Sequence, residues 1–133
     1  MSRQYLTTLL LALVTLTPAS AQKLQQRMMD RYADVFDYPK VAAICEDLEA
    51  RGKADVGTLR RLALAYRKMD RPSDAEAVYT RMMASGAAQD DDMLAYADLL
   101  RANGKYMEAL DWYENYDAKA PGNSRVQAYL KQP

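Results

Sequence analysis

The stretch NGKYMEALDWYENYDAKAP, residues 103–121, decides the fold class that we predict for this chain. Asn103 and Gly104 are typical of a turn, and Pro121 closes the segment. Between them, apolar and aromatic side chains recur at steps of three and four residues, namely Tyr106, Ala109, Leu110, Tyr113 and Tyr116. This spacing predicts an amphipathic helix over residues 106–119. Because only one side of that helix is apolar, another part of the chain must cover it.

The segment is the second half of the last of three sequence repeats. Residues 22–55, 56–89 and 90–123 align as units of 34 residues without gaps. Small residues of the second unit recur in the third, Ala63 as Ala97 and Ala75 as Ala109, and so do bulky ones, Tyr66 as Leu100 and Tyr79 as Tyr113. Small residues let the two helices of a unit approach closely, and bulky residues fill the space around that contact. Each pair then leaves an apolar face that the next pair covers.

The period and these positions resemble the tetratricopeptide repeat, which pairs two helices in 34 residues. The predicted fold is therefore all-α, a TPR-like α-solenoid of three antiparallel helix pairs followed by a short C-terminal capping helix at 124–133. The turns agree with it, since Gly104 permits a positive φ and Pro72 can begin a helix. Asn123 or Ser124 is the expected N-cap of the last helix.

The N-terminal residues have the features of a cleaved secretory signal over residues 1–21. Arg3 precedes an apolar run at 6–16, which at eleven residues is too short to cross a bilayer. Ala19 and Ala21 form a small-x-small cleavage site, so the mature chain is predicted to begin at Gln22. The alternative interpretation is an uncleaved inner-membrane anchor.

The single cysteine gives two further expectations. A bacterial lipoprotein needs a cysteine as its first mature residue, and Gln22 stands there, so no lipid anchor and no membrane span after cleavage are predicted. Cys45 has no second cysteine with which to form an internal disulfide. It shares a repeat position with Tyr79 and Tyr113, and we interpret it as a buried apolar residue.

Composition argues against several functions. The 18 basic and 18 acidic side chains balance, so nothing attracts the chain to nucleic acid. The absence of histidine excludes Ser-His-Asp and Cys-His catalysis and imidazole metal sites. We therefore predict no enzyme, no catalytic residue, no cofactor and no metal. The acidic run at 90–92 is interpreted as a helix N-terminal feature rather than a cation site, and Trp112 as a packing residue.

In the repeat family that the chain resembles, the first helices of the units usually line a concave ligand face. The positions that the resemblance implies for a partner-binding groove are Arg60, Leu64, Arg67, Leu94, Asp98 and Arg101. Arginines beside leucines suit a peptide segment that carries carboxylates and apolar residues. We expect these charges to be exposed, so that reversing Arg60 and Arg67 leaves stability nearly unchanged. The alternative is a merely solvated helix face.

A narrower resemblance covers nearly all of residues 27–130. YADVFDYPKVAAICEDLEARG (32–52), LRRLALAYRKMDRPSDAEAVYTRM (59–82) and YADLLRANGKYMEALDWYENYDAKAPGNSRVQAYL (96–130) resemble the N-terminal repeat region of multidomain OmpA-like outer-membrane-associated proteins. In that family a β-propeller and a peptidoglycan-binding domain follow, and some members are linked to gliding or secretion. Neither domain is expected within these 133 residues. The leading hypothesis is a periplasmic protein-binding adaptor. The alternative is a fragment or shortened relative whose repeats act as a spacer.

Overall fold

The structure, a computed structural model, describes residues 17–131, in which every regular element is an α-helix and no strand occurs. The helices are α1 Pro18–Asp34, α2 Tyr38–Ala50, α3 Val56–Lys68, α4 Pro72–Ala84, α5 Asp90–Ala102, α6 Tyr106–Lys119 and α7 Ser124–Leu130. The all-α prediction is confirmed, and α6 has the predicted bounds.

The chain divides into two compact units, residues 1–37 and residues 38–133. Within the described part of the first unit, α1 is the single helix. In the second unit each helix from α2 to α7 packs against the next one along the chain, which makes a repeat-like, solenoid-like stack. Short turns join these neighbours, so consecutive helices run antiparallel.

The predicted signal segment is described only at its end. Residues 1–16 lie outside the described part, while Ala19, Ala21 and Gln22 belong to the first turns of α1. Among residues 17–131, no helix combines the length and apolarity that crossing a bilayer demands. Export and cleavage at Gln22 remain predictions.

The turns between the two helices of the second and third repeats share one backbone conformation. Gly104 has φ 82° between α5 and α6, as predicted, and Asp70 has φ 55° one period earlier. In each turn the residue that follows the positive-φ residue donates its backbone N–H to the carbonyl five residues earlier. Lys105 donates to Leu100 at 2.9 Å, and Arg71 donates to Tyr66 at 2.8 Å. This is the bonding of a Schellman C-cap, which ends one helix and starts the reversal into the next.

Side chains cap the N-termini of α3 and α7. The Asp55 carboxylate accepts the backbone N–H of Thr58 at 2.8 Å at the start of α3. At the start of α7, Asn123 accepts the N–H groups of Arg125 and Val126, so Asn123 is the predicted N-cap. Pro72 begins α4, where its missing N–H costs no helical hydrogen bond.

The core of the second unit consists of the positions singled out by the repeat. The small residues Ala63, Ala75, Ala97 and Ala109 and the bulky residues Tyr66, Tyr79, Leu100 and Tyr113 are all buried. Trp112 is half-buried and its ring lies edge-on to Tyr96, with 5.2 Å between centroids, so it packs as expected. The prediction that these repeat positions are buried is therefore confirmed in this unit, whereas Tyr106, predicted to lie on the covered stripe of α6, is 69% exposed.

Ion pairs between consecutive repeats hold the helices in register. Arg81 on α4 pairs with Glu49 on α2 through two hydrogen bonds of 2.9 and 2.8 Å. Lys105 pairs with Glu76 of α4, and Asn103 donates to the same carboxylate at 2.8 Å. Each pair joins residues 27 or more positions apart, so its geometry depends on the stacking of the helices.

Candidate interaction face

The face predicted as a partner-binding groove runs along α3 and α5. Its residues are Arg60, Leu64 and Arg67 on α3 and Leu94, Asp98 and Arg101 one period later on α5. Leu64 is 47% exposed, and both Arg67 and Arg101 are exposed. Arg60 and Asp98 are half-buried, which differs from the expectation that the charges of this face are free in solvent.

Arg60 is paired with a buried carboxylate at the start of α5. Its Nε donates to Oδ1 of Asp92 at 2.7 Å, and one of its terminal nitrogens donates to Oδ2 at 2.7 Å. Oδ2 also accepts the backbone N–H of Gln89 at 2.8 Å, so the same carboxylate caps α5. The hydrogen bond from Arg60 lowers the pKa of Asp92, although burial opposes the shift. Arg60 therefore connects two helices of neighbouring repeats.

Asp98 on α5 accepts hydrogen bonds from side chains of both α6 and α7. The Tyr113 hydroxyl on α6 donates to its Oδ1 at 2.6 Å, and a terminal nitrogen of Arg125 on α7 donates to both carboxylate oxygens at 2.8 and 2.9 Å. Burial and the bond to Asp98 raise the pKa of Tyr113 to about 12. Both oxygens of the Asp98 carboxylate therefore already accept hydrogen bonds from other helices of the chain.

The two remaining arginines differ in their contacts. The Arg101 guanidinium lies over the Tyr129 ring of α7, with 4.2 Å to the centroid, a cation–π arrangement. Arg67 lies beside Tyr79, where it partly opposes the increase in pKa that burial causes in that phenol. Arg67 and Leu64 form the most accessible part of the predicted face.

These contacts correct one expectation. Reversing Arg60 to glutamate would place its carboxylate against the buried Asp92 and remove the bidentate pair, so the change should lower stability as well as any binding. Reversal of Arg67 leaves that pair intact. Leu64 and Arg67, which are exposed, allow binding to be tested separately from folding, whereas Leu94 is half-buried.

A second surface, which the repeat pattern did not single out, lies at the start of α6. Tyr106 and Met107 are 69% and 75% exposed. Together with Leu110, Tyr129 and Arg101 they line an open depression of about 370 Å³. The sequence signal for it is partial, because Met107 and Leu110 stand where the previous repeat has the polar Ser73 and Glu76.

Cys45 has the environment of a structural residue. Its side chain is fully buried on α2, and burial raises the pKa of its thiol to about 11. The thiolate is the nucleophilic form, so at neutral pH the reactive form is scarce. No cluster of three or more cysteine, aspartate or glutamate side chains that could hold a metal ion occurs between residues 17 and 131.

We expect Cys45 to resist alkylation in the folded protein. At pH 8 a thiol reagent such as iodoacetamide should modify less than about a tenth of the thiol in the time that fully modifies the urea-unfolded chain, because thiolate attack needs both ionisation and access. Intact-mass measurement after quenching gives the modified fraction. Equal labelling of the two states would contradict the burial of Cys45.

The structure defines an all-α protein in which adjacent helices pack in a repeat-like, solenoid-like arrangement, with charged side chains along α3 and α5. No protein-family model matches the chain, and no curated protein matches it. The tetratricopeptide and OmpA-like resemblances therefore rest on the residues quoted above.

Proposed function

We propose that the chain is a non-enzymatic protein-binding scaffold of the tetratricopeptide type in the bacterial cell envelope. The observation that carries the proposal is the face of α3, where the exposed Leu64 lies beside the exposed Arg67. Ion pairs between repeats hold the supporting helices, so this face is preorganised. Preorganised surfaces lose less conformational entropy when they bind.

The chemistry of the face suggests the type of partner. A side chain with an apolar surface can cover Leu64, and a carboxylate can form a bidentate pair with Arg67. Peptides that dock in grooves often carry such alternating apolar and charged anchors. The proposed partner is therefore an extended or helical segment of another envelope protein, with acidic and apolar residues. Nucleic acid is disfavoured by the balanced charge.

The proposed location is the periplasm, with outer-membrane association only through partners. Arg3, the apolar run at 6–16 and the Ala19–Ala21 site support export. Gln22 at the predicted mature N-terminus supports the absence of a lipid anchor. Intact-mass measurement of the exported protein tests both points, because retention of residues 1–21 or a lipid adduct would contradict them.

The double variant Leu64→Asp/Arg67→Glu tests the binding face. It should reduce recovery of the native partner from envelope extracts at least tenfold, because it removes the apolar contact and reverses the charge that meets a carboxylate. Its thermal midpoint should stay within a few degrees of the wild-type value, since both side chains are exposed. Lys53→Glu, in an exposed loop, is the matched control for a charge reversal and should retain the partner. Full recovery with the double variant would refute the face.

One observation favours the alternative function, a structural spacer related to OmpA-like envelope proteins. Arg60, Asp98 and Arg101, half of the predicted face, contact Asp92, Arg125 and Tyr129 of this chain. Side chains that make such contacts stabilise the packing of the helices and are less available to a ligand. If the double variant and the wild type both recover no partner under crosslinking conditions, the spacer function is preferred.

A further inference from the structure

The depression at the start of α6 exposes a group of apolar side chains. Tyr106 and Met107 are 69% and 75% exposed, and the half-buried Leu110 lines the depression with them. The residue that corresponds to Tyr106 in the first repeat is Tyr38, which begins α2 and is half-buried. The same residue type at the same repeat position is therefore more covered there than on α6. Neighbouring exposed apolar side chains often mark a surface that contacts another molecule.

The corresponding part of α4 is contacted by the next repeat. Asn103, which follows α5, donates to the Pro72 carbonyl at 3.4 Å and to the Glu76 carboxylate at 2.8 Å. Pro72 and Glu76 correspond to Tyr106 and Leu110 of α6. These helix positions thus form a contact surface within the fold on α4, whereas on α6 they line an open depression of about 370 Å³.

Two charged side chains beside the depression form no ion pair within the described part of the chain. Arg101 lines the depression, and the carboxylate one turn earlier on α5, that of Asp98, is bound by Arg125 instead. Glu114 on α6 is exposed and also has no cationic partner there. The surface of α6 therefore has one cation and one anion near its apolar residues, and each can pair with a charge of another molecule.

These two charges lie toward opposite ends of the apolar surface. Glu114 follows Met107 by seven residues, or two turns, so both lie on one side of α6 and about 10 Å apart along its axis. Arg101 is in the last turn of α5 and lies near the beginning of α6. A second α6 that runs antiparallel to the first brings its Glu114 toward that Arg101, and two-fold symmetry forms the same match a second time. The surface is therefore complementary in charge to a second copy of itself.

We infer that two copies of this chain pair through antiparallel α6 helices, with Met107 of each copy in the depression of the other and Glu114 of each opposite Arg101 of the other. The contact is isologous, so it closes at two copies. Its apolar centre consists of a few side chains, which makes it smaller than a standard protein interface, and we expect a dissociation constant on the order of 100 μM. The charges at the rim mainly fix the orientation of the two copies.

Two charge reversals test this arrangement. Arg101→Glu faces Glu114 of an identical copy, and Glu114→Arg faces Arg101, so each variant alone places like charges together twice. In a mixed pair one copy has glutamate at both positions and the other has arginine at both, so both contacts again join opposite charges. The purified proteins are checked for fold by circular dichroism. Their average mass is measured by sedimentation equilibrium from about 10 μM to about 1 mM, a range around the expected dissociation constant.

The wild type should form dimers and nothing larger. Each charge reversal alone should raise the dissociation constant at least about fivefold, and an equimolar mixture of the two variants should associate nearly as the wild type does. Met107→Ser, which introduces the residue that the second repeat has as Ser73, should raise the constant at least about tenfold, because both copies lose an apolar contact. Glu108→Arg, a reversal at an exposed position of α6 that does not line the depression, is the matched control and should associate as the wild type does.

Other outcomes overturn the inference. A wild type that stays monomeric up to about 1 mM means that a different molecule, or none, covers the depression. Average masses above that of a dimer are incompatible with a contact that closes at two copies. Dimers that persist unchanged in Met107→Ser use another surface, and failure of the mixture to recover association means that the helices are not antiparallel in this register.

Two further measurements keep the result interpretable. Arg101→Glu loses the stacking on Tyr129. If that variant does not fold, Glu114→Arg and Met107→Ser decide the question, and unchanged association in either one refutes the pairing. The double variant Leu64→Asp/Arg67→Glu should form dimers as the wild type does. Failure of that face to bind a partner therefore leaves this result unchanged, and the two proposals are tested separately.

Discussion

Replacing Asp92 by alanine is expected to lower the free energy of unfolding by about 2–4 kcal/mol, somewhat less than the roughly 3–5 kcal/mol for breaking a fully buried ion pair, because Arg60 keeps contact with water. The change leaves the Arg60 guanidinium half-buried without its bidentate acceptor and the Gln89 N–H without its cap. Urea unfolding followed by circular dichroism measures the loss. Asp91→Ala, at the exposed neighbouring position, is the matched control and should change stability by less than about 0.5 kcal/mol.

The stabilisation that Asp92 provides should be lost at low pH. Its folded-state pKa is lowered by Arg60, so the carboxylate stabilises the fold above its unfolded pKa of about 3.9, and the contribution disappears as pH falls through the folded pKa. The difference between wild type and Asp92→Ala should therefore be constant from about pH 5 to 7 and shrink below about pH 4. A difference that stays constant down to pH 2 would show that the ion pair does not stabilise the fold.

Leu62→Ala is expected to cost about 3 kcal/mol and to lower the thermal midpoint by about 10 °C, because removing a fully buried leucine loses its transfer free energy and leaves a cavity. Leu62 is completely buried on α3, whereas Leu64, two residues further along the same helix, is 47% exposed. Leu64→Ala removes the same atoms from an exposed side chain of the same helix.

The pair of leucine variants separates burial from helix propensity, since alanine favours a helix at both positions. Leu64→Ala should therefore change the midpoint by no more than about 2 °C. Similar losses from both variants would mean that Leu64 is covered in solution. That outcome would also remove the most accessible apolar residue from the proposed binding face.

The fold was largely predictable because its signals are local and repeated. The spacing from Tyr106 to Tyr116 predicted α6 with its bounds, and Gly104 marked the turn before it. Alanine and tyrosine positions recur every 34 residues in the second and third units, and those repeat positions are buried. A helix period and a repeat period both depend on the chain's own geometry, so sequence order is enough to find them.

The candidate face was predictable only in position. Arg60 and Arg67 share one side of α3 by helical geometry, but their partners lie on other elements. Asp92, which pairs with Arg60, is 32 residues away, and the distance between them depends on how α5 stacks on its neighbours. The acidic run at 90–92 signalled a helix N-terminus. It did not signal that one of its carboxylates is buried between repeats.

By itself the sequence determined that the chain forms helices, where α6 begins and ends, and which repeat positions are buried, since these follow from local propensity and periodic apolar side chains. The tertiary structure alone decided which charged residues of the face are exposed and which are held by other helices. Arg60, Asp98 and Arg101 have partners because stacking brings other helices within hydrogen-bond or ring-contact distance, while Arg67 and Leu64 remain exposed. It also decided that Tyr106 and Met107 at the start of α6 are exposed.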